Sequence, residues 1–468
     1  MKSKEINRCN QLYKIGEISK MKSKKTEILA RRKQFVPDAI GIFNPSTAVS
    51  AKDAVIIDAD GQEMIDFAGG IGVVNAGHCP EPVVKAIADQ AAKLIHCSFN
   101  VATYELYMQL AEKLVSLFPH GDHTKVMLTN SGAESVENAI KIARQATGRP
   151  AVICYGGAFH GRTMMSMTLT SKVDYKLGCG PFAPEVYRIP FPDYYHDPRG
   201  ANPDEFSDHH LRELEDFFHS NVPASQVAAI IIEPVQGEGG FNVVPKKYLE
   251  GLRAVCDKYG ILLILDEVQS GFGRTGKWAA YQHYDVTPDL STWAKSMGSG
   301  MPIGAVIGKA HLMDACKPST IGGTYPGNPV CCAASLATLD YMEKIGINAL
   351  GEKVGAIVRK RFNSFKKQFS AIGDVRGLGA MMAFELVKNN DPHQPDADLC
   401  KKLISYCADH GLIVINAGIN GNIIRILSPL VIEESLLNKG LDIIEAGLAH
   451  LYGEPINESK MEISDVSK

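Results

Sequence analysis

VMLTNSGAESVENAIKIARQATGRPAVICYGGAFHGRT, residues 126–163, holds the logic of the fold in miniature. Val126–Thr129 is a short apolar run closed by polar residues, as a buried strand requires. From Glu134 to Ala146 the apolar residues Val136, Ala139, Ile140 and Ala143 recur at i, i+3, i+4 and i+7. That spacing lines one face of a helix, and Gly148 followed by Pro150 stops it. Ala151–Tyr155 is a second strand-like run. Ala228–Ile232 and Ile261–Leu265 repeat the pattern, with amphipathic stretches between. Strands alternating with helices predict an α/β fold with a mainly parallel, doubly wound sheet. Ligands of such sheets bind beyond the carboxyl ends of the strands.

The ends of the chain read differently. Ala54–Phe67 is strand-like around a turn at Asp60-Gly61, and Met381–Leu386 and Ile423–Leu427 are short strands among helices. A smaller α+β domain built from both termini is expected, over residues 35–75 and 345–455, beside a large domain over 76–344. Residues 1–34 read as a basic N-terminal arm and 456–468 as a polar tail. The run MKSK at Met1 recurs at Met21, so the first twenty residues fit an upstream start or a loose arm. The arm has no apolar core of a signal peptide, and Glu5, Glu17 and Glu27 argue against a transit peptide.

With 468 residues the chain exceeds the roughly 250–300 that one core sustains. Lys and Arg number 49 against 52 Asp and Glu, for a formal charge of -3. That balance gives no basic face for nucleic acid or an anionic membrane. No apolar run approaches the ~18 residues of a membrane span. The 11 cysteines are odd in number, scattered and without C-x-x-C spacing, so neither a disulfide framework nor a metal site of familiar spacing is expected. A reducing cytoplasm is the simplest home.

Five constellations fall where strands run out. Asn130-Ser131-Gly132-Ala133-Glu134 joins a strand to a helix N-terminus, where small residues and the helix dipole suit an anion such as phosphate. Ser131 as an ordinary helix cap accounts for the same residues. Asp266 closes a buried strand, a costly place for an acid without a partner, and a protonated heteroaromatic nitrogen is one good partner. Capping a turn is the plainer alternative. Lys295 sits between Trp293 and the glycine-rich stretch Gly298–Gly304. In apolar surroundings its amine loses its proton easily and can form a Schiff base, although most lysines are solvated charges. Phe159, His160 and Arg162 offer a stacking face, an imidazole and a guanidinium in four residues. Core packing and a structural histidine are the alternatives there. Glu233 and Glu238 follow another strand among glycines, or are solvated acids of a turn.

Gly271-Phe272-Gly273-Arg274-Thr275-Gly276 satisfies G-x-G-x-x-G after a strand. In a dinucleotide site it should open a long helix, with an acid ending the next strand. Neither follows, so nicotinamide binding is not expected.

An anion loop, a buried acid, an imine-forming lysine and a stacking aromatic match the needs of pyridoxal phosphate. The sequence also resembles the class III, fold type I aminotransferases, most closely the bacterial 4-aminobutyrate aminotransferases. The resemblance runs from about Phe67 to Leu448 on NSGAE at 130–134, GGAFHGRT at 156–163, EPVQGEGG at 233–240, DEVQSGFGRTGK at 266–277, WAKS around Lys295 and GGTYPGNP at 322–329. It implies that Lys295 holds the cofactor aldehyde and moves the proton during catalysis, and that Asp266 pairs with the ring nitrogen. It implies phosphate contacts from Ser131, Gly132 and Ala133, and from Thr324 of a neighbouring subunit. Phe159 and Val268 would sandwich the ring, Gln269 would reach its hydroxyl, and His160 and Glu233 would support the pocket. A homodimer is then the minimum unit, with pairing into tetramers left open.

For substrate, the resemblance implies that Arg162 takes a distal carboxylate and Arg425 an α-carboxylate. Glu238 would neutralise Arg425 when an ω-amino acid leaves that second place empty, since a buried unpaired arginine is costly. Ile71 matches an apolar pocket wall. The expected reaction is 4-aminobutyrate with 2-oxoglutarate giving succinate semialdehyde and glutamate. A permanent Glu238–Arg425 pair, another ω-amino-acid aminotransferase of ornithine or β-amino-acid type, and a racemase or 2-epimerase of the same fold are the alternatives. Racemases need no distal-carboxylate arginine. A cofactor-binding regulator would need a DNA-binding domain, for which the N-terminal arm is too small.

Overall fold

A computed structural model describes residues 23–43, 45–197, 199 and 202–452. The first twenty residues and the 456–468 tail, expected to be loose, lie outside the described residues.

The N-terminal half begins with β1 (Ser50–Lys52), β2 (Val55–Ile57) and β3 (Glu63–Asp66). Asp58 makes the turn between β2 and β3, its Oδ1 accepting from the backbone N–H of Asp60 and Gln62 at 2.9 Å each. The central sheet takes β4 (Thr124–Thr129), β5 (Ala151–Tyr155), β6 (Val186–Ile189), β7 (Val227–Ile232), β8 (Leu262–Asp266), β9 (Leu290–Trp293) and β10 (Gly304–Lys309). Their order is β4-β10-β9-β8-β7-β5-β6. Only β10 runs against its neighbours β4 and β9; the other pairings are parallel. The sheet is thus mainly parallel, as the alternating pattern requires. β5 and β7 are buried along their whole length, which explains their unbroken apolar runs.

The C-terminal part adds β11 (Ile372–Leu378), β12 (Met381–Leu386), β13 (Leu412–Ile413), β14 (Ile415–Ala417) and β15 (Ile423–Ile426). β11, β12, β15 and β14 form an antiparallel sheet. β13 instead joins β3 in parallel, with Leu412 opposite Ile65, so the two ends of the chain share one sheet.

The helix predicted over 134–146 spans Gly132–Thr147. Ser131 Oγ caps it by accepting from Glu134 N, and Gly148 ends it at φ 66°, where a side chain would be strained. Ser135 on its first turn donates to the carbonyl of Trp293 at 3.0 Å, fixing the helix start beside the end of β9. Within the stretch read as an arm, Lys24–Phe35 is a helix with no buried residue, capped by Ser23. Its polar composition hid it. What fixes it is contact from afar: Ser23 and the Lys25 backbone N–H both bond Asp60, and Lys25 Nζ lies 3.8 Å from Asp58.

Residues 271–276 bind no helix of their own; only a short turn at Ala280–His283 follows. Their glycines serve close packing. A Cβ on Gly351 would lie 2.1 Å from the Gly273 carbonyl oxygen. Arg274 is fully buried and straps the two halves together: its Nη2 donates to Asn75 Oδ1 at 2.5 Å and to the Ser428 carbonyl at 2.9 Å. Burial pushes its guanidinium down to about 9. Arg274→Leu should lower unfolding free energy by about 2–4 kcal/mol, because at least two buried acceptors lose their donor. Chemical denaturation reads this, and a loss under about 0.5 kcal/mol would contradict it.

Candidate active site

Five strand ends meet at one cavity of about 460 Å³. β10 runs between β4 and β9 in the opposite sense, so β4, β5, β7, β8 and β9 all point the same way. Their carboxyl ends deliver, in turn, Asn130–Ala133, Phe159–Arg162, Glu233 with Glu238, Asp266 with Val268 and Gln269, and Lys295. The loop Gly300–Ile303 closes a further side.

Lys295 lies two residues past β9 and takes φ 49°, a left-handed conformation that disfavours a side chain. Such strain persists only where the surroundings over-determine it, and it clusters at functional sites. Burial and the nearby Arg425 bring its amine down to about 8, although Glu238, Glu233 and Asp266 pull the other way.

Asp266 is buried, with Oδ1 accepting from Val268 N at 3.1 Å and Oδ2 2.6 Å from His160 Nδ1. An ionised carboxylate only accepts, so His160 donates through Nδ1. Its Nε2 is buried without a partner. Glu233 ties two loops together, accepting from Phe159 N and Gly237 N at 3.0 Å each. Burial pushes its carboxyl up to about 7, helped by Asp266 and resisted by His160 and those two N–H groups.

A second centre adjoins the first. Arg425, on β15, is fully buried, and its Nη1 meets Glu238 Oε1 at 2.7 Å and the Gly237 carbonyl at 3.3 Å. Its Nε and Nη2 are buried without partners. Burial opposes ionisation of Glu238, but the Arg425 charge and hydrogen bond outweigh it and hold the carboxyl below its usual range. Arg162 is exposed at the cavity, its guanidinium 4.5 Å from the centre of the Tyr175 ring.

Of the residues singled out from sequence, Ser131, Gly132, Ala133, Phe159, His160, Arg162, Glu233, Glu238, Asp266, Val268, Gln269 and Lys295 all line this cavity. Three do not. Arg425 stands behind Glu238. Ile71 sits at φ 67° in a left-handed turn of glycines and packs on a small apolar cluster, while Val73 lines the cavity. Thr324 is exposed and off the cavity wall. Tyr175 was missed altogether. It belongs to a polar stretch with no pattern, and only its tertiary contacts give it meaning.

The residues present fit pyridoxal phosphate. Gly132 and Ala133 open the helix Gly132–Thr147 and line the cavity, and a helix leaves its first N–H groups without intrahelical partners. A Cβ on Gly132 would meet Val268 methyls at 2.9 and 3.0 Å, so any side chain there would have to displace Val268. Gln269 Oε1 is buried with no donor, ready for a hydroxyl. Lys295 supplies an amine that loses its proton readily.

Residues 43–448 match the family described as Aminotransferase class-III. The chain is a class-III aminotransferase. This aminotransferase is 47% identical over 419 residues to a probable 4-aminobutyrate aminotransferase of Bacillus subtilis, covering 89% of this chain and 96% of that one. It is 44% identical over 418 residues to a 5-aminovalerate aminotransferase of Pseudomonas aeruginosa, again covering 89% and 96%. Among solved structures it is similar to the taurine:2-oxoglutarate aminotransferase of Bifidobacterium kashiwanohense in complex with PLP and glutamate, at TM-score 0.85 and 28% identity. That likeness covers 91% of this chain and 97% of the other.

Proposed function

We propose that this aminotransferase moves the amino group of an ω-amino acid, foremost 4-aminobutyrate, to 2-oxoglutarate, giving succinate semialdehyde and glutamate in ping-pong fashion. The observation that carries this reading is Arg425, whose buried guanidinium keeps two unbonded donors and is neutralised by Glu238. An ω-amino acid has one carboxylate, for Arg162, and leaves Arg425 to Glu238. A 2-oxo diacid has two, and its α-carboxylate takes Arg425 as Glu238 moves away. A bidentate arginine contact suits each.

Pyridoxal phosphate supplies the aldehyde that accepts the amino group and a ring that withdraws electrons. Lys295 would hold that aldehyde, and its amine, freed by the substrate, would be the base that moves the proton. Asp266, kept in place by His160 and Val268 N, keeps the ring nitrogen protonated. Glu233 holds the Phe159 and Gly237 loops in register. Thr324, exposed on one subunit, completes the phosphate site of a second subunit in a homodimer. No described helix is long and apolar enough to cross a membrane. Scattered free cysteines suit a cytoplasmic enzyme.

The test is glutamate formation by the cofactor-loaded protein with 2-oxoglutarate and either 4-aminobutyrate or 5-aminovalerate. One methylene separates the two donors, worth roughly 10–200-fold in kcat/KM. A tube of single L-amino acids read on a chiral column covers the racemase: D-amino acid without glutamate would overturn the reading. Arg162→Ala should raise KM for 4-aminobutyrate about 10–150-fold, the loss of a charge-assisted contact of about 1.5–3 kcal/mol. An unchanged KM would remove the distal-carboxylate role.

A further inference from the structure

Arg162 and Glu238 leave different strands, β5 and β7, yet both rest on one side chain. The Tyr175 hydroxyl donates to Glu238 Oε2 at 3.3 Å, while Oε1 of the same carboxylate is engaged by Arg425. The face of the Tyr175 ring backs the Arg162 guanidinium at 4.5 Å. The Tyr175 and Phe159 rings meet edge to face, 5.3 Å between centroids and 75° between planes, which holds the tyrosine against the cavity wall. Burial and the Glu238 charge hold the phenol above its ordinary value, which favours the neutral, donating hydroxyl.

Each contact has its own consequence. The hydroxyl bond stabilises Glu238 in the position where it neutralises Arg425. The ring face stabilises the cation that takes a distal carboxylate. We propose that Tyr175 is a positioning residue that couples Arg162 to Glu238 and so sets how readily the cavity changes from one carboxylate to two. The proposal rests on the two-arginine reading of the substrate site. Holding Glu238 on Arg425 favours the substrate with one carboxylate; releasing it favours the diacid.

Two unreactive probes separate these effects in the cofactor-loaded protein: butyrate, with one carboxylate, and glutarate, with two. Their dissociation constants are read by calorimetry. Tyr175→Phe keeps the ring and loses the donor. Glutarate should bind about threefold to tenfold more tightly, because Glu238 is easier to displace, and butyrate should be unchanged. Tyr175→Leu also loses the ring, and butyrate should weaken about twofold to fivefold. Should the leucine variant fail to fold, the phenylalanine variant decides alone. Unchanged constants, or both probes shifted by one common factor, would overturn the coupling and leave Tyr175 a packing residue. Arg162→Ala is the control on the underlying reading. If it leaves butyrate binding intact, the substrate assignment fails and the coupling with it. If it abolishes butyrate binding while the tyrosine variants change nothing, only the coupling fails.

Discussion

Lys295→Ala should cut amino transfer by roughly 10⁴-fold or more, because one side chain both anchors the aldehyde and carries the proton. The visible absorption of the lysine-bound cofactor should vanish with it. A persisting band would mean that another amine holds the aldehyde. The unaltered chain offers a companion measurement. An amine attacks an aldehyde only when neutral, and Lys295 reaches that state at about 8 because burial and Arg425 disfavour its charge. Cofactor uptake by apo-protein should therefore quicken as pH rises through about 8. A rise delayed to the ordinary lysine range near 10.4 would contradict the buried setting.

Asp266→Asn should cost about 10²–10⁴-fold in kcat with a smaller effect on KM. The amide keeps the size of the carboxylate and one acceptor oxygen, for Val268 N, but its NH2 can face His160 only if that imidazole changes tautomer, and it cannot hold a proton on the ring nitrogen by charge. Asp266→Glu should recover part of the loss. A kcat for the asparagine variant within about tenfold of the parent would refute the charge role. His160 Nδ1 at 2.6 Å and Val268 N at 3.1 Å hold the two oxygens in place, so His160→Ala, which leaves the carboxylate charge intact, separates lost orientation from lost charge by costing less in kcat than Asp266→Asn.

The central sheet was legible because its strands are buried on both faces. Val227–Ile232 has no exposed residue, so it cannot alternate and reads as a plain apolar run. Direction followed from the helices between strands, and the cavity from the direction. Lys295, Asp266 and Arg162 were findable because each stands where a strand stops. Residues whose meaning lies in distant contacts were not. Tyr175 meets a carboxylate 63 positions away. The Lys24–Phe35 helix shows no apolar stripe because none of its residues is buried. Arg274 lay inside a glycine pattern that suggests phosphate, and only its bonds to Asn75 and Ser428 reveal a strap. Thr324 is exposed on a single subunit, so one chain gives its side chain nothing to act on.

The parallel pairing of β3 with β13 imposes an order on synthesis. Ile65 meets Leu412, a partner made 347 positions later in the chain. At about 5–20 residues per second, the ribosome needs roughly 20–70 s between making the two partners. Through that interval the edge of β3 stays open, while the strands from β4 to β10 are made and gain all their neighbours before β13 emerges. Arg425 emerges later still. The nascent chain can thus bring together the strand ends that carry Asp266 and Lys295 before Arg425 is made.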